Sequence, residues 1–363
     1  MRVVLAVAGL CCMYTAAHAA TFCVHTSTQL QNALATAENN AQDDVIKVTE
    51  GYYLAPAGGF DYQTYASQDD DDHDLEISGG WFDALNLACL GHHNTPFQTV
   101  LDGSGSDRVM YLIMRTHSSI TVRFLTFSNG DAGNGSGGGL SLFAGDIGFA
   151  ATWTVERNAF VGNSAKFGGG LHATINQASS TARVRVINNL FLLNHASTDI
   201  AAAELVVDGG DSINVTNNTI LSNTSDNATS NAIGGIYVAG SDVFQFIANN
   251  NFWSNDRYDV YVLADPAGYS LLHNNYQLRG GSPPSALQGN ISVEPEYQHG
   301  TFNYTPVRNS PLVDAGINPP PISINWYLTN TDLAGAERKI GDVDIGAYEE
   351  DIIFSDSFEM PIF

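Results

Sequence analysis

The middle of the chain is built from short alternations of apolar and polar residues, as in RVRVIN (Arg183 to Asn188) and GIYVAG (Gly235 to Gly240). A period of two is that of a strand with one buried face, and turn-forming residues follow almost every such run. The alternations recur in a frame. FVGN ends at Asn163, FLLN at Asn194, ILSN at Asn223 and FWSN at Asn255, with TFSN at Asn129 as a looser first copy, at spacings of 34, 31, 29 and 32 residues. Five residues before the last four of these stand Asn158, Asn189, Asn218 and Asn250, and downstream come glycine-led or alanine-led strands such as GGGLSL, GGGLHA, AAELVV and GGIYVA.

Strands this short cannot bury a face alone, so each copy must stack on its neighbours, which is the physics of a solenoid. One copy reads as a coil of about three strands whose interior takes Val184, Val186, Leu190, Leu205, Val207, Ile213, Val215, Ile236, Val238, Val260 and Val262. Asn129, Asn163, Asn194, Asn223 and Asn255 then fall at equivalent turns as a ladder. Asn tolerates left-handed backbone, and its amide offers both a donor and an acceptor to the next coil.

The paired elements, FxxN and a double glycine leading into Ala or Gly and then Ile or Leu, resemble the repeats of the polymorphic outer-membrane-protein family. More broadly they resemble secreted bacterial parallel β-helix proteins of the pectin-lyase-like fold, over roughly residues 120–263. The resemblance implies an all-β, single-stranded right-handed parallel β-helix and says little about chemistry, since that fold hosts lyases, hydrolases, adhesins and passive passengers. The segment from Thr26 places Leu30, Ala33, Leu34 and Ala37 on one helical face ahead of a strand, and resembles the N-terminal capping helix of that fold. SPLVDAG (Ser310 to Gly316) and the stretch ending in DIGAYEED at Asp351 resemble the C-terminal motif of choice-of-anchor Q proteins, a bacterial surface family. Its expected job is to close the helix as a strand cap, with Asp332 and Arg338 pairing across a turn and Val343, Ile345 and Ala347 pointing inward. The expected organisation is therefore a signal peptide over 1–19, the capped β-helix over 20–305, a C-terminal capping segment over 306–350 and a tail over 351–363.

Charge narrows the partners. Fourteen basic against thirty-eight acidic residues give a net charge of -24, which would repel nucleic acid and anionic lipid surfaces. The N-terminus, with one Arg, an apolar run from Val3 to about Met13 and Ala17-His18-Ala19 as a small-x-small site, reads as a secretory signal, and its apolar run is too short to span a bilayer. The expected location is secreted or on the bacterial outer surface. Cleavage leaves Cys23 and Cys89, which in an oxidising compartment form one disulfide; the alternative is two buried thiols.

The glycine clusters do not match a phosphate loop or a dinucleotide fingerprint, so no nucleotide is expected. The run Asp69, Asp70, Asp71, Asp72, His73, Asp74 could gather Ca²⁺ but lacks the spaced ligands of a calcium loop, and it reads first as a solvated loop; no other metal or cofactor is expected. Registering the glycine-led strands puts Ser141, His172, Val206, Tyr237 and Tyr261 in one outward column, with Glu204 and Asp259 in the column before and Asp208 in the column after. Tyr237, Tyr261 and His172 are the ligand-binding candidates, because aromatic faces cover the apolar side of a sugar ring while carboxylates take its hydroxyls. His172, Glu204, Asp208 and Asp259 are the catalytic candidates, since two carboxylates across a groove can serve as acid and base. As the resemblance implies, lyases of the fold need a basic residue and a neutralised uronate; Lys166 is the only lysine in the repeats, and the fold's hydrolase motifs are missing. The sequence therefore reads as a surface-interaction or glycan-binding β-helix with a polysaccharide or surface glycan as partner, leaning away from catalysis. A polysaccharide lyase or glycoside hydrolase is the rival, and the sequence leaves the oligomeric state open.

Overall fold

The computed structural model describes residues 19–64, 73–83, 89–227, 232–319 and 326–350, with short breaks at 41, 116, 146–147, 265–267, 299, 301 and 339–340. The expected signal, the acidic positions Asp69 to Asp72 and the tail lie outside the described residues. The chain is a right-handed parallel β-helix. Its coils contribute to three long sheets of 11, 7 and 8 strands, with a fourth of three strands between the second and the third. Strand pairing is parallel throughout the sheets except where Trp81-Phe82 meets Gly91-His92 in a hairpin.

The interior follows from the alternation. In the first sheet Ile46, Ile77, Val122, Val155, Val186, Val215, Ile247 and Leu271 point inward and are buried. The second contributes Phe127, Phe160 and Phe191, whose rings stack at 5.0 and 4.7 Å, then Ile220 and Phe252. The third contributes Leu112, Leu142, Ala173, Leu205, Val238 and Val262. The FxxN phenylalanine is therefore a core residue. Leu190, placed in the interior from sequence, instead points out of the second sheet, because its neighbour Phe191 takes the inward position.

Corners repeat as strictly as strands. Between the first and second sheets one residue per coil turns the chain with positive φ (Phe124, Arg157, Asn188, Asn217, Asn249, His273), and an Asn follows it at most of these corners. Asn158, Asn189, Asn218, Asn250, Asn274 and Asn290 form a continuous ladder there: Asn158 Oδ1 accepts Leu125 N–H, and from Asn189 on each Oδ1 accepts both the backbone N–H and the Nδ2–H of the Asn one coil earlier. A second ladder, Asn163, Asn194, Asn223 and Asn255, turns the corner after the second sheet. Asn129 is not a rung of it: it occupies the positive-φ position equivalent to Gly162, and the Oδ1 of Asn163 reaches the N–H of Gly130 instead. The rungs themselves are not left-handed. Asn is needed for its amide, and the left-handed turn falls on the residue before it. Gly169 allows adjacent coils to approach, since a Cβ there would lie 2.2 Å from the carbonyl oxygen of His195.

The N-terminal end is covered by the helix Ser27–Ala37, N-capped by Thr26 and buried through Leu30, Ala33, Leu34 and Ala37. Cys23 and Cys89 form a disulfide beside it. The C-terminal segment departs from expectation. Among its described residues it contains no strand and does not close the end; it returns along the flank over the outward side of the second sheet. Leu333, Ala347 and Tyr348 cover Ala159, Leu190, Leu192 and Leu221, while Thr331 accepts from Arg157, Thr219 accepts from Ala347 N–H, and Phe302 stacks on Phe97. The outward face of the second sheet is apolar, so burying it outweighs covering the end. Within the segment Arg338 donates to Gly346 O and pairs with Glu349 at 3.6 Å, while Asp332 is occupied by the N–H groups of Ala336 and Glu349.

Candidate functional site

The outward face of the third sheet carries the most concentrated chemistry. Parallel pairing in register stacks Tyr111, Ser141, His172, Glu204, Tyr237 and Tyr261 in one column. At the ordinary strand spacing the column runs about 24 Å along the solenoid. Glu204, not Val206, follows His172: the strands pair His172 with Glu204 and Thr174 with Val206. A two-residue slip keeps every inward residue inward, so the hydrophobic pattern cannot register it.

The centre of the column is a hydrogen-bonded polar group. Ser141 Oγ lies 3.3 Å from His172 Nδ1, Thr174 Oγ1 lies 3.0 Å from Nε2, and Glu204 Oε2 is 3.6 Å from the same nitrogen. The His172 and Glu204 side chains are each only 16% exposed. Burial, helped by the guanidinium of Arg108, pushes the His172 imidazolium down to about 4. Burial, helped by the charge of Asp199, pushes the Glu204 carboxyl up to about 7. Near neutral pH His172 is therefore uncharged, while Glu204 holds its proton to a higher pH than an ordinary carboxyl. At 3.6 Å the two groups are in polar contact, and neither is held in its charged form.

Aromatic rings flank it on both sides. Tyr237 and Tyr261 stack at 6.0 Å, Tyr258 meets Tyr261 edge-on at 5.3 Å, and Arg257 lies 5.1 Å over Tyr258. At the other end the Arg108 guanidinium lies 4.5 Å over Tyr111 and donates to Ser136 O. Beside the column lies a shallow cavity of about 430 Å³, lined by Val206, Asp208, Ala239, Ser241, Leu263 and Ser282 among others.

The structure separates the remaining candidates. Asp208 is exposed on the cavity rim and accepts the Ser241 hydroxyl. Asp259 is 1% exposed and belongs to the frame, taking Asn255 Nδ2–H and the N–H groups of Gln277 and Leu278. It closes the second Asn ladder and is shielded from any ligand. Asp74, the described end of the acidic run, accepts Ser119 N–H. The one metal-type cluster among the described residues, Cys23 with His25 and Asp83, has its sulfur in the disulfide. Sequence reasoning missed Arg108, Tyr111 and Tyr258. The first two lie before the first recognised repeat, although Met110–Met114 alternates like the later strands; Tyr258 lies before the strand Val260–Ala264 and joins Tyr261 only through the turn.

No protein-family model and no curated protein matches the chain. Among solved structures, the crystal structure of pectate lyase Pel9A is similar over 93% of this chain and 97% of that one, at 13% identity and a TM-score of 0.33. At that score the likeness carries no argument, and the parallel sheets described above establish the architecture by themselves. Among the described residues no helix is long and apolar enough to cross a membrane.

Proposed function

We propose that the protein is a glycan-binding β-helix that works outside the cytoplasm and takes an extended saccharide along the outward column of its third sheet. The observation that carries this reading is the order of the column: tyrosine rings at both ends of a buried, largely uncharged hydrogen-bonding group, in one straight line. Ring faces bury the apolar side of a pyranose, and the Ser141–His172–Glu204 group supplies donors and acceptors without a fixed charge. A ligand without dense negative charge suits a chain of net charge -24. The signal-like N-terminus and the Cys23–Cys89 bridge support export to an oxidising compartment.

One observation favours a second reading, a glycoside hydrolase. A carboxyl pushed up to about 7, as in Glu204, is a competent proton donor at neutral pH. Glycoside hydrolysis also calls for a second carboxylate across the scissile bond, and the column's other carboxylate, Asp61 paired with Tyr111, stands four strands from Glu204, about 19 Å at the ordinary strand spacing. Binding is therefore the reading we adopt. A glycan array followed by reducing-end assays on each bound glycan tests it: retention without new reducing ends supports binding, and release of reducing ends that Glu204→Gln abolishes would replace it with hydrolysis.

A further inference from the structure

The two ends of the solenoid are finished differently. At the N-terminal end the capping helix buries the first coil. At the other end Ala286–Gln288 is the last strand of the first sheet and Arg279–Gly281 the last of the third, and among the described residues no strand follows either. Leu287 pairs with Leu271 and so continues the inward column that runs from Phe22 through Ile46. The eight members from Ile46 to Leu271 are buried; Leu287 is 55% exposed, with Leu278 beside the third sheet's last strand also exposed. A core column ending in open solvent beside unpaired strand edges is a surface that ordinarily gains a partner.

Charge indicates which partner. Residues 268–293, which form this end, contain no Asp or Glu, although the chain carries 38 in 363 residues. Their charged side chain is Arg279. Two copies of a chain with a net charge of -24 repel over most of their surfaces, and an end whose last strands and corners carry no carboxylate until Glu294 is where they approach at least cost. We propose that two copies stack end to end through this face, with Ala286–Gln288 of each pairing antiparallel about a two-fold axis. Leu287 then meets its own counterpart, and the two hydrophobic interiors become continuous. Such isologous closure uses one patch twice and leaves no further edge to propagate, so it ends at a dimer and not a fibre. The third-sheet columns of both copies stay open, and two glycan-binding faces would be carried on one rod.

Sedimentation velocity and light scattering on the full chain test this. At about 50 µM, above the weak end of the affinity range for such interfaces, the protein should have twice the single-chain mass. Leu287→Lys should return it to the single-chain mass with an unchanged circular dichroism spectrum, whereas Leu193→Lys, on the exposed flank, should remain dimeric. Gln288→Glu, which sets like charges across the two-fold axis, should dissociate at low salt and reassociate at high salt. A wild-type monomer overturns the proposal, as does a dimer indifferent to both end substitutions. A chain shortened after Glu350 that dimerises where the full chain does not would show that residues 351–363, and not a second copy, cover the end.

Discussion

His172 Nε2 lies 3.6 Å from Glu204 Oε2 on neighbouring rungs of the third sheet, with both side chains largely buried. The contact depends on the register: a parallel sheet repeats one position per coil, so two residues 32 apart in sequence become nearest neighbours in the column. Because the site is shielded, the two groups drift towards neutrality in opposite directions, the imidazole losing its proton easily and the carboxyl holding on to its own.

Glycan binding should therefore weaken as the pH rises through about 7, where Glu204 changes from a donor to an anion. Glu204→Gln, which keeps a donor at every pH, should bind with a flat profile between pH 5 and 9. Titration calorimetry at several pH values checks this; a wild-type profile as flat as the variant's would remove Glu204 from the recognition group.

The Asn ladders should dominate the response of stability to single substitutions. Asn194 accepts from Asn163 N–H and Nδ2–H and donates to Phe160 O and Asn223 Oδ1, all away from water. Asn194→Ala leaves buried donors without acceptors and should cost about 2–4 kcal/mol. Asn129→Ala, outside the ladder though bonded to Asp102, should cost about 1 kcal/mol. Urea unfolding of the two variants gives the comparison directly.

The C-terminal segment buries Asp332, Asp344 and Glu349 near Arg338. Burial raises all three carboxyls, Asp344 to about 6 and Glu349 to about 8, with Arg338 only partly opposing it. A carboxyl whose folded pKa lies above its unfolded value adds stability at low pH and loses it as the pH climbs to the folded value, so Glu349 contributes less and less from about pH 4.5 to about pH 8. Glu349→Gln should lose less stability than wild type across that window, by about 1 kcal/mol per pH unit. Thermal melts of both proteins at intervals between pH 4.5 and 8.5 measure the difference.

Reducing the Cys23–Cys89 bridge, which spans a sequence separation of 66, should destabilise the chain by about 4 kcal/mol from released loop entropy. The loss should appear first in the N-terminal coils, as faster hydrogen exchange over Phe22 and Ile46 than over Val186.

The architecture was legible in the sequence because a solenoid writes the same local rule into every coil: inward Val, Ile or Phe, a positive-φ corner, then Asn. Glu204's place in the column was not legible, since a slip of two residues preserves the alternation. Leu190 and the C-terminal segment misled for one shared reason. The second sheet buries both faces, the outer one under Leu333, Ala347 and Tyr348, and a strand buried on both sides has no alternation to read. Asp259 carried the composition of a site, yet its three hydrogen bonds all serve the frame. The Arg108–Tyr111 pair leaves a signal in the alternation at Met110–Met114, one coil before the first FxxN copy.

The measurement that bears most directly on the glycan-binding column is affinity for the glycan selected on an array, compared between the wild type and the Tyr237→Ala and Tyr261→Ala variants. Loss of a stacking ring should weaken binding by about 10-fold or more for each variant, with melting temperatures unchanged. Unchanged affinity in both variants would contradict the account, and the third sheet's outward face would then be an ordinary solvated surface.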